Sequence, residues 1–447
     1  MDYFRYHNGK LFCEEVDLER MSDIETPFYL YSWNTFEDHF QRFTESFKDL
    51  NPLICFAVKT CNNIAILKKL TQLGAGMDIV SGGELFLCKH AGVPSDKIVY
   101  AGVGKTVEEI EFSIDQGIGF FNIESEPEFI RIEEIAARKN KVMMALLRVN
   151  PDEYDVKTHV KTTTGKKGGK FGIDLEQVPI FFEKHGKSEY LKLCGLHIHL
   201  GSPIYSAAPY TKAIEKLTDL IEKLKSKGFS IRYLDIGGGY AADYEDGASP
   251  TWDEYSKDIV PLLKPLVDNG IKIIMEPGRT ISANAGILVS SVQYIKKTGQ
   301  NKKIIIIDTG MHHLIRPALY SANHFIWPVN PGDSFSVTER KFDLDFDGLA
   351  EYDIAGPICE SSDFLAKERK LPPVAPSDRL VIFTAGAYGM VMASHYNSQP
   401  LPAEYLIDKD TIFMIRERET YEDLLYKQCE NKKLCHKSNK LTFFIRK

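Results

Sequence analysis

Side chains able to do chemistry follow several apolar runs of this sequence. Lys59 ends the run LICFAVK, and a lysine beside apolar walls can lose its proton and act as an amine nucleophile. Asp78 lies near the end of GAGMDIV, and Glu276 follows IKIIM, where a buried carboxylate needs a partner. A solvated lysine at a strand end is the alternative for Lys59, and an ordinary ion pair with Arg279 is the alternative for Glu276.

Two histidines and a glycine run add further binding groups. His197 and His199 are two residues apart in LCGLHIHLGS, so on a strand they share one face. A metal pair is one interpretation, but no third ligand at a useful spacing is apparent, and ring stacking or hydrogen bonding is favoured. Gly237, Gly238 and Gly239 follow YLDI, and their N–H groups can wrap a phosphate. A tight turn is the equal alternative.

Two segments near the C-terminal end concentrate polar side chains among glycines. They are GPICESSDFLAKERKLP and FTAGAYGMVMASHYNSQPLPAEYLI, which contain few apolar anchors. Loops of this kind carry function more often than packing. Cys359 lies in the first of them, in polar surroundings, and a quiet buried thiol is its alternative interpretation.

Eight apolar runs must position these groups, and helical patterns such as YTKAIEKLTDLIEKLKSKG lie between most of them. The runs are LICFAVK (53–59), GAGMDIV (74–80), KIVYAG (97–102), GFFNIE (119–124), VMMALLRVN (142–150), LCGLHIHLGS (193–202), YLDIGGGY (233–240) and IKIIMEPG (271–278). Near-continuous apolar strands separated by helices predict a parallel sheet covered on both faces, and eight units match a closed (β/α)8 barrel. A doubly wound open sheet is the alternative. In barrel enzymes the site lies at the C-terminal strand ends, where these groups fall.

The sequence pattern changes after about residue 286. The segments VSSVQYIKKTG, KKIIIIDTG, DSFSVTER and RLVIFTAGAYG read as strands with turns between them. The predicted fold class is α/β, a TIM-type barrel plus a mainly β C-terminal domain that also takes in the N-terminal strand TPFYLYSW. The predicted divisions are an N-terminal segment 1–34 that pairs with the β domain, a barrel 35–285, a β domain 286–428 and a basic tail 429–447.

Composition limits the classes of partner. The chain has 447 residues and a net charge of -7, which gives no electrostatic footprint for nucleic acid. Its eight cysteines form no CxxC pair and suit a reducing cytosol. The N-terminal residues are charged and lack an apolar signal core, and the longest aliphatic run, Ile304 to Ile307, is too short for a membrane span. We therefore expect a cytoplasmic protein with no nucleic-acid or membrane partner.

Eight motifs, in their order along the chain, resemble the diaminopimelate decarboxylases. These belong to the barrel-type, pyridoxal-phosphate-dependent decarboxylases, together with ornithine and arginine decarboxylases. The motifs are FAVKTCNN, GMDIVSGGEL, GLHIHLGS, LDIGGGY, MEPGRTISANAG, HHLIRPALY, GPICESSDFLAKERKLP and AGAYGMVMASHYNSQPLPAE. The resemblance runs from about residue 20 to about 428. It implies a (β/α)8 barrel with a β domain, pyridoxal 5'-phosphate as cofactor, no metal, and a homodimer whose subunits share active sites.

The resemblance also implies roles for individual residues. Lys59 resembles the lysine that bonds covalently to the cofactor, His199 the ring that stacks on the pyridine, and Glu276 the carboxylate that faces the pyridine nitrogen. The other cofactor-binding residues that it implies are Asp78, Ser202, Gly237, Gly238, Gly239, Gly278, Arg279 and Tyr388. The substrate-binding residues that it implies are Arg279, Arg316, Tyr320, Glu360 and Tyr388.

A second subunit is expected to contribute Cys359, Glu360 and Tyr388, with Cys359 as the proton donor. Lys59, Cys359 and His199 are thus the expected catalytic residues. The implied reaction is decarboxylation of meso-2,6-diaminopimelate to L-lysine and carbon dioxide, the last step of lysine biosynthesis. A carboxylate beside the pyridine nitrogen keeps it protonated and makes the ring a strong electron sink. Paired arginines suit a distal carboxylate, and an acidic side chain suits a distal ammonium.

The sequence departs from the usual family motifs without losing a catalytic group. Pro203 stands where glutamine is usual, Ala241 where glycine is usual, and Gln399 where arginine is common. Phe56 and Thr60 flank the lysine where tyrosine and alanine are commoner. These departures bear on substrate scope more than on reaction type.

Three other functions stay open at this point. A related decarboxylase would act on ornithine, arginine, carboxynorspermidine or a D-amino acid, but Arg316 and Glu360 favour diaminopimelate, since a bare distal ammonium needs no arginine. A catalytically dead homologue would act as a binding protein, against which the retention of Lys59 and Glu276 argues. A metal-dependent barrel enzyme would use the two histidines of the HIH sequence.

Overall fold

The computed structural model describes residues 2–165, 167–244, 249–299 and 302–428. The predicted basic tail over 429–447 lies outside the described residues. The chain begins with a small antiparallel sheet and a buried strand: β1 (Phe4–His7), β2 (Lys10–Cys13), β3 (Val16–Asp17) and β4 (Phe28–Ser32). The small sheet was not predicted from the sequence. Its Leu11 N–H donates to the carbonyl of Val329 at 3.0 Å, so the sheet lies against the C-terminal half of the chain.

Eight parallel strands form a closed barrel, as predicted. They are β5 (Leu53–Ala57), β6 (Gly76–Ile79), β7 (Ile98–Tyr100), β8 (Phe120–Ile123), β9 (Met143–Asn150), then, after a short added strand β10 (Ile173–Asp174) beside β9, β11 (Leu191–His197), β12 (Tyr233–Asp235) and β13 (Lys272–Met275). The ring closes because β13 pairs with β5 and β8 pairs with β9. The open-sheet alternative is therefore wrong.

Helices cover the outside of the barrel or connect it to the β domain. They are α1 (Trp33–Ser46), α2 (Ile64–Gln72), α3 (Gly82–His90), α4 (Val107–Gln116), α5 (Glu126–Arg138), α6 (Val178–His185), α7 (Ala208–Ser226), α8 (Trp252–Asp268), α9 (Arg279–Ser282) and α10 (Arg316–Tyr320). Local sequence sets their limits. Helix α4, for example, starts at a reciprocal capping box between Thr106 and Glu109, and it ends at Gly117 in a left-handed conformation.

Apolar side chains fill one layer of the barrel interior. They are Cys55, Val99, Phe120, Leu146, Cys194 and Ile274, drawn from six different strands. Such a packed layer leaves room for a site only toward the C-terminal ends of the strands. Cys55 and Cys194 are buried free thiols, as is Cys88 on α3.

Two barrel strands end five residues earlier than predicted. The run 193–202 is a strand only to His197, and the run 233–240 only to Asp235. Gly201 and Gly237 have φ values of 137° and 70°, and such conformations turn the backbone out of the sheet. The residues beyond these points form loops over the barrel mouth.

The described part of the chain from residue 286 onward is mainly β. Its strands are β14 (Gly286–Lys297), β15 (Lys303–Ile307), β16 (Ile326–Pro328), β17 (Ala350–Ala355), β18 (Phe364–Leu371), β19 (Arg379–Ile382), β20 (Ala403–Asp408) and β21 (Thr411–Arg416). Strand β4 lies between β14 and β20 in this sheet, which confirms that the N-terminal strand belongs to the β domain. The predicted strand DSFSVTER is wrong, because the segment holds a 3-10 turn at Asp333–Phe335 and no strand.

We propose residues 35–285 and 286–428 as the limits of barrel and β domain. Helix α1 begins at Trp33, and β14 begins at Gly286, directly after the last helix beside the barrel. Among the described residues, no helix is long and apolar enough to cross a membrane.

Candidate active site

A cavity of about 890 Å³ opens at the C-terminal ends of the barrel strands. The predicted site residues that line it are Lys59, His199, Ser202, Glu276, Arg279, Arg316, Tyr320 and Tyr388. They come from the segments that follow three barrel strands, β5, β11 and β13, and from the β domain. The structure thus brings together groups that are more than 300 residues apart in the sequence.

Lys59 is held by an ion pair with Asp78. The lysine lies in a 3-10 turn, Val58–Thr60, directly after β5, and its Nζ is 2.6 Å from Asp78 Oδ2. Burial lowers the pKa of Lys59, but the charges of Asp78 and Glu276 outweigh this effect and leave the pKa above its ordinary value. Burial and the charge of Glu276 raise the pKa of Asp78 to about 7, although Lys59 opposes them. The amine is therefore fixed in place at the barrel mouth.

Glu276 is a buried, ionised carboxylate. It is 2% exposed; its Oε1 accepts a hydrogen bond from Asn122 Nδ2 at 3.2 Å, and its Oε2 lies 3.4 Å from His197 Nε2. Burial alone would raise the pKa of Glu276, but His197 and Lys59 lower it well below its usual range. A negative charge is thus available at the cavity wall. The ordinary ion pair with Arg279 is not formed, because Glu276 has these other partners.

His199 presents a neutral ring. Burial lowers the pKa of His199 well below its ordinary value, and the charges of Lys59 and Arg148 lower it further. The hydroxyl of Thr164 lies 3.3 Å from its Nδ1, and the backbone N–H of Gly201 donates to the same nitrogen at 3.2 Å. These contacts fix the plane of the imidazole, which suits a stacking role.

The glycine run allows neighbouring strand ends to pack closely. A Cβ at Gly238 would lie 2.0 Å from the carbonyl oxygen of Glu276, and one at Gly237 would lie 2.3 Å from that of Ile198. Gly239 is equally close to its neighbours. A side chain at Gly238 would push Glu276 away from the run, and a side chain at Gly237 would push Ile198 away. Close packing is therefore one reason for these glycines, and phosphate binding stays a prediction, as it does for Gly278.

Arg279 contacts two predicted site residues, Ser202 and Tyr388, and a third residue, Tyr244. Its Nε donates to Ser202 Oγ at 3.0 Å, its Nη1 donates to Tyr244 Oη at 2.9 Å, and its guanidinium carbon lies 4.8 Å from the ring centroid of Tyr388. The backbone N–H of Tyr388 donates to the carbonyl of Thr60 at 2.9 Å. Tyr388 thus lies in the cavity of its own chain. The expectation that a second subunit contributes Tyr388 is wrong, because the turn at residues 385–389 folds back onto the barrel mouth.

Arg316 is the second buried arginine of the cavity. It begins α10, is 6% exposed, and its Nη1 lies 3.2 Å from His324 Nε2. Its guanidinium carbon lies 4.6 Å from the ring centroid of Tyr244. Tyr244 therefore contacts both arginines, and a cation over an aromatic face is stabilised. Tyr320, at the end of α10, lines the cavity next to it.

Cys359 and Glu360 do not line the cavity of their own chain. Both are exposed, in a loop of the β domain between β17 and β18. The backbone N–H of Cys359 donates to Asn397 Oδ1 at 3.0 Å, and Glu360 accepts hydrogen bonds from Tyr396 Oη and Ser362 Oγ. The loop is thus ordered and outward-facing. Their contribution to the cavity of a second subunit stays a prediction.

The sequence analysis missed the third member of a group around His197. One potential ligand atom each of His197, Asp235 and Glu276 lies within 4.8 Å of the others, whereas no third ligand was apparent from sequence spacing. His197 and Asp235 end two different strands and Glu276 follows a third, so no local motif joins them. His199 is outside this group. That the chain holds no metal stays a prediction.

Two cavity residues were also missed. Arg148 lies in the run LLRVN, two residues before the end of β9, is 5% exposed, and its Nη1 donates to Glu124 Oε1 at 2.7 Å. A charged residue at a strand's C-terminal end was the available signal, and it went unused. Tyr244 lies in a loop after the glycine run, where no periodicity or motif marked it.

Comparison with known proteins decides the family. Residues 33–283 match the family model described as pyridoxal-dependent decarboxylase, pyridoxal binding domain. A diaminopimelate decarboxylase of Aquifex aeolicus is 44% identical over 423 residues, which are 94% of this chain and 96% of the relative. The chain belongs to the pyridoxal-dependent decarboxylases. The resemblance seen in the eight motifs is thereby confirmed.

Solved structures agree. The diaminopimelate decarboxylase of Helicobacter pylori, complexed with L-lysine, is 36% identical with a TM-score of 0.84, over 91% of this chain and 98% of the other. That of M. jannaschii, in co-complex with L-lysine, is 34% identical with a TM-score of 0.86, over 96% and 98% of the two chains. The predicted barrel with a β domain is confirmed.

The cavity fits the cofactor that the family uses. Pyridoxal phosphate needs an amine for its aldehyde, a charged partner for its pyridine nitrogen, a flat contact for its ring, and donors for its phosphate. Lys59, the ionised Glu276 and the neutral ring of His199 meet the first three needs. Ser202 and Arg279 offer a hydroxyl and a cation beside the glycine turn. The donor set in this chain therefore suits the group.

Proposed function

We propose that this chain decarboxylates meso-2,6-diaminopimelate to L-lysine and carbon dioxide. The observation that carries the proposal is one cavity in which Lys59 and an ionised Glu276 face the buried arginines Arg279 and Arg316. The first pair suits pyridoxal chemistry, and the second suits a dicarboxylic substrate. The diaminopimelate decarboxylases that resemble this chain support the assignment.

Residues on the cofactor side of the cavity would hold the cofactor and make its ring a better electron acceptor. Pyridoxal phosphate supplies, when bound, a ring that accepts the electron pair of the broken bond between Cα and the carboxylate. Glu276 holds a proton on the pyridine nitrogen, because its charge favours the protonated form. His199 supports one face of the ring. Asp78 orients Lys59, whose amine holds the cofactor until substrate replaces it.

The arginine side recognises the end of the substrate that does not react. A carboxylate between Arg279 and Arg316 accepts charge-assisted hydrogen bonds from planar guanidinium groups. Tyr244 keeps both groups in fixed orientations, since it bonds to one and lies under the other. A polyamine precursor with a bare distal ammonium would leave these buried charges without a partner, which is costly.

A second subunit completes the site in this proposal. After carbon dioxide leaves, Cα needs a proton, and the thiol of Cys359 of the partner subunit donates it. Glu360 of the partner subunit binds the distal ammonium. The exposed loop that carries both residues, in a chain whose own cavity lacks them, supports a homodimer with shared sites. Six free cysteines among the described residues support a reducing, cytoplasmic location.

The arginine assignment predicts a selective loss of affinity. L-Lysine keeps the unreacted carboxylate, whereas cadaverine, the same diamine chain, lacks it. Arg316→Ala should weaken L-lysine binding and the specificity constant for diaminopimelate by about 2–5 kcal/mol, a factor of roughly 30 to several thousand, because it removes one partner of a buried charge. Cadaverine affinity should change little. Calorimetric titration with both ligands and steady-state kinetics measure these quantities.

Glu360→Ala provides the complementary result. It should weaken L-lysine binding and lower the specificity constant for diaminopimelate by a similar factor, because the distal ammonium loses its partner. The affinity for pyridoxal phosphate should not change. Arg138→Ala, at an exposed arginine paired with Glu111, is the matched control and should change neither. Equal weakening of cadaverine and L-lysine by Arg316→Ala, or loss of cofactor in both site variants, would contradict the assignment.

A further inference from the structure

Two carboxyl groups lie side by side at the inner wall of the cavity. Asp235 ends β12 and is 0% exposed, and Glu276 follows β13. Backbone pairing fixes their approach: the N–H of Ile236 donates to the carbonyl of Ile274 at 3.0 Å, and the N–H of Glu276 donates to that of Gly237 at 2.9 Å. The two strand ends therefore cannot move apart without losing hydrogen bonds.

The two groups have unequal partners. Glu276 receives the amide of Asn122 on one oxygen and faces His197 with the other. Asp235 Oδ1 accepts the backbone N–H of Gly237 at 2.9 Å, but no N–H or hydroxyl of the described residues donates to its Oδ2. One carboxyl oxygen of Asp235 lies within 4.8 Å of one carboxyl oxygen of Glu276, and a ring nitrogen of His197 lies within the same distance of both. The other titratable groups near the pair are His197, His199, Asp78, Lys59, Cys55 and Tyr240.

Two ionised carboxylates this close would repel each other strongly, because both are buried. One proton shared by the pair removes the repulsion and turns it into a hydrogen bond. The charge of Lys59 does not neutralise both Asp235 and Glu276, because the Nζ of Lys59 already donates a hydrogen bond to Asp78 at 2.6 Å. The proton belongs on the oxygen that lacks a donor, since Glu276 already has partners that stabilise its charge.

We propose that Asp235 is a protonated positioning residue that donates a hydrogen bond to Glu276 and so keeps Glu276 ionised and oriented toward the cofactor's pyridine nitrogen. Burial raises the pKa of Asp235 well above its ordinary value, and the charge of Glu276 raises it further, in agreement with this arrangement. The consequence for the pyridine nitrogen rests on the proposed function. The protonation of Asp235 does not.

Asp235→Asn is the decisive variant. An asparagine amide can accept the Gly237 N–H with its oxygen and donate to Glu276 with its NH₂ group, so it reproduces a neutral Asp235 in shape and charge. We expect pyridoxal phosphate to bind this full-length variant, freed of cofactor, with a Kd within about threefold of the native value. Asp235→Ala removes the donor, and its Kd should be at least about tenfold weaker, with a changed absorbance spectrum of the bound cofactor.

Infrared spectroscopy tests the proton itself. The holoenzyme at neutral pH should show the carbonyl band of a buried, protonated carboxylic acid, and Asp235→Asn should remove it. Asp78→Asn, at the neighbouring buried carboxylate whose pKa is raised to about 7, is the matched control: it removes any band of Asp78 itself and should keep the band that Asp235→Asn removes. These measurements use no substrate, so they are independent of which amino acid is decarboxylated.

Three outcomes would overturn the proposal. The first is a holoenzyme spectrum that Asp235→Asn leaves unchanged. The second is a cofactor affinity that Asp235→Asn lowers as much as Asp235→Ala does, which would mean that the native side chain is charged. The third is a stoichiometric divalent cation found by metal analysis, which would neutralise His197, Asp235 and Glu276 without a shared proton. If Asp235→Ala does not fold, the infrared band decides.

Discussion

Lys59→Ala should reduce turnover by a factor of roughly a thousand or more and abolish covalent attachment of pyridoxal phosphate, while the protein stays folded. Lys59 is the amine of the cavity next to Asp78 and Glu276, so its loss leaves the cofactor aldehyde without its partner. Asp78 would then lack its cation at 2.6 Å. It can take up a proton instead, because its pKa is already raised to about 7. Absorbance spectra and peptide mapping after borohydride reduction measure the attachment.

Lys192→Ala is the matched control for this experiment. Lys192 lies on barrel strand β11, but its Nζ bonds to the carbonyl of Ser188, away from the cavity. This variant should retain both the chromophore and activity. A borohydride-reducible bond between the cofactor and another lysine in Lys59→Ala, with turnover preserved, would contradict the role of Lys59.

Mixing two inactive variants should restore activity. Lys59→Ala removes a residue of the barrel, and Cys359→Ala removes a residue of the exposed β-domain loop, so each homodimer lacks a complete site. Random pairing makes half of the dimers mixed, each with one intact site of two. Re-equilibrated mixtures should therefore recover about a quarter of the native activity, as the symmetry of an isologous dimer requires.

Two controls make this result interpretable. Subunit exchange is followed independently by fluorescence energy transfer between labelled subunits, and both variants are checked for native melting temperature. Lys59→Ala mixed with Glu276→Ala should give no recovery, because both changes affect the same half of the site. If exchange occurs and Lys59→Ala with Cys359→Ala also gives none, the two residues act within one chain.

Much of the fold follows from the sequence because its signals are local. Each barrel strand is a short run of apolar residues, and burial of those runs on both faces leaves few arrangements other than a closed barrel. Strand limits were less accurate at 193–202 and 233–240. There, apolar residues continue into loops whose glycines turn the backbone out of the sheet. The strand predicted at DSFSVTER failed since alternation over a few residues does not ensure a pairing partner.

Some of the site residues could likewise be predicted from the sequence, and others could not. Lys59, His199 and Glu276 were found because each follows a strand and lies in a motif. The contact between Asp235 and Glu276 was not, because it depends on how the ends of two strands approach in space. Tyr388 shows a further limit: a sequence motif marks a residue as part of a site without stating which subunit supplies it.

Carbon dioxide release from a panel of amino acids tests the central claim most directly. The purified holoenzyme is incubated with meso-diaminopimelate, L-lysine, L-ornithine, L-arginine and carboxynorspermidine, and the products are identified. We expect a specificity constant for meso-diaminopimelate at least roughly a hundredfold above the others, with L-lysine as product, because buried arginines reject substrates that leave them unpaired. Faster turnover of ornithine, arginine or carboxynorspermidine, or no carbon dioxide from diaminopimelate with cofactor bound, would contradict the account.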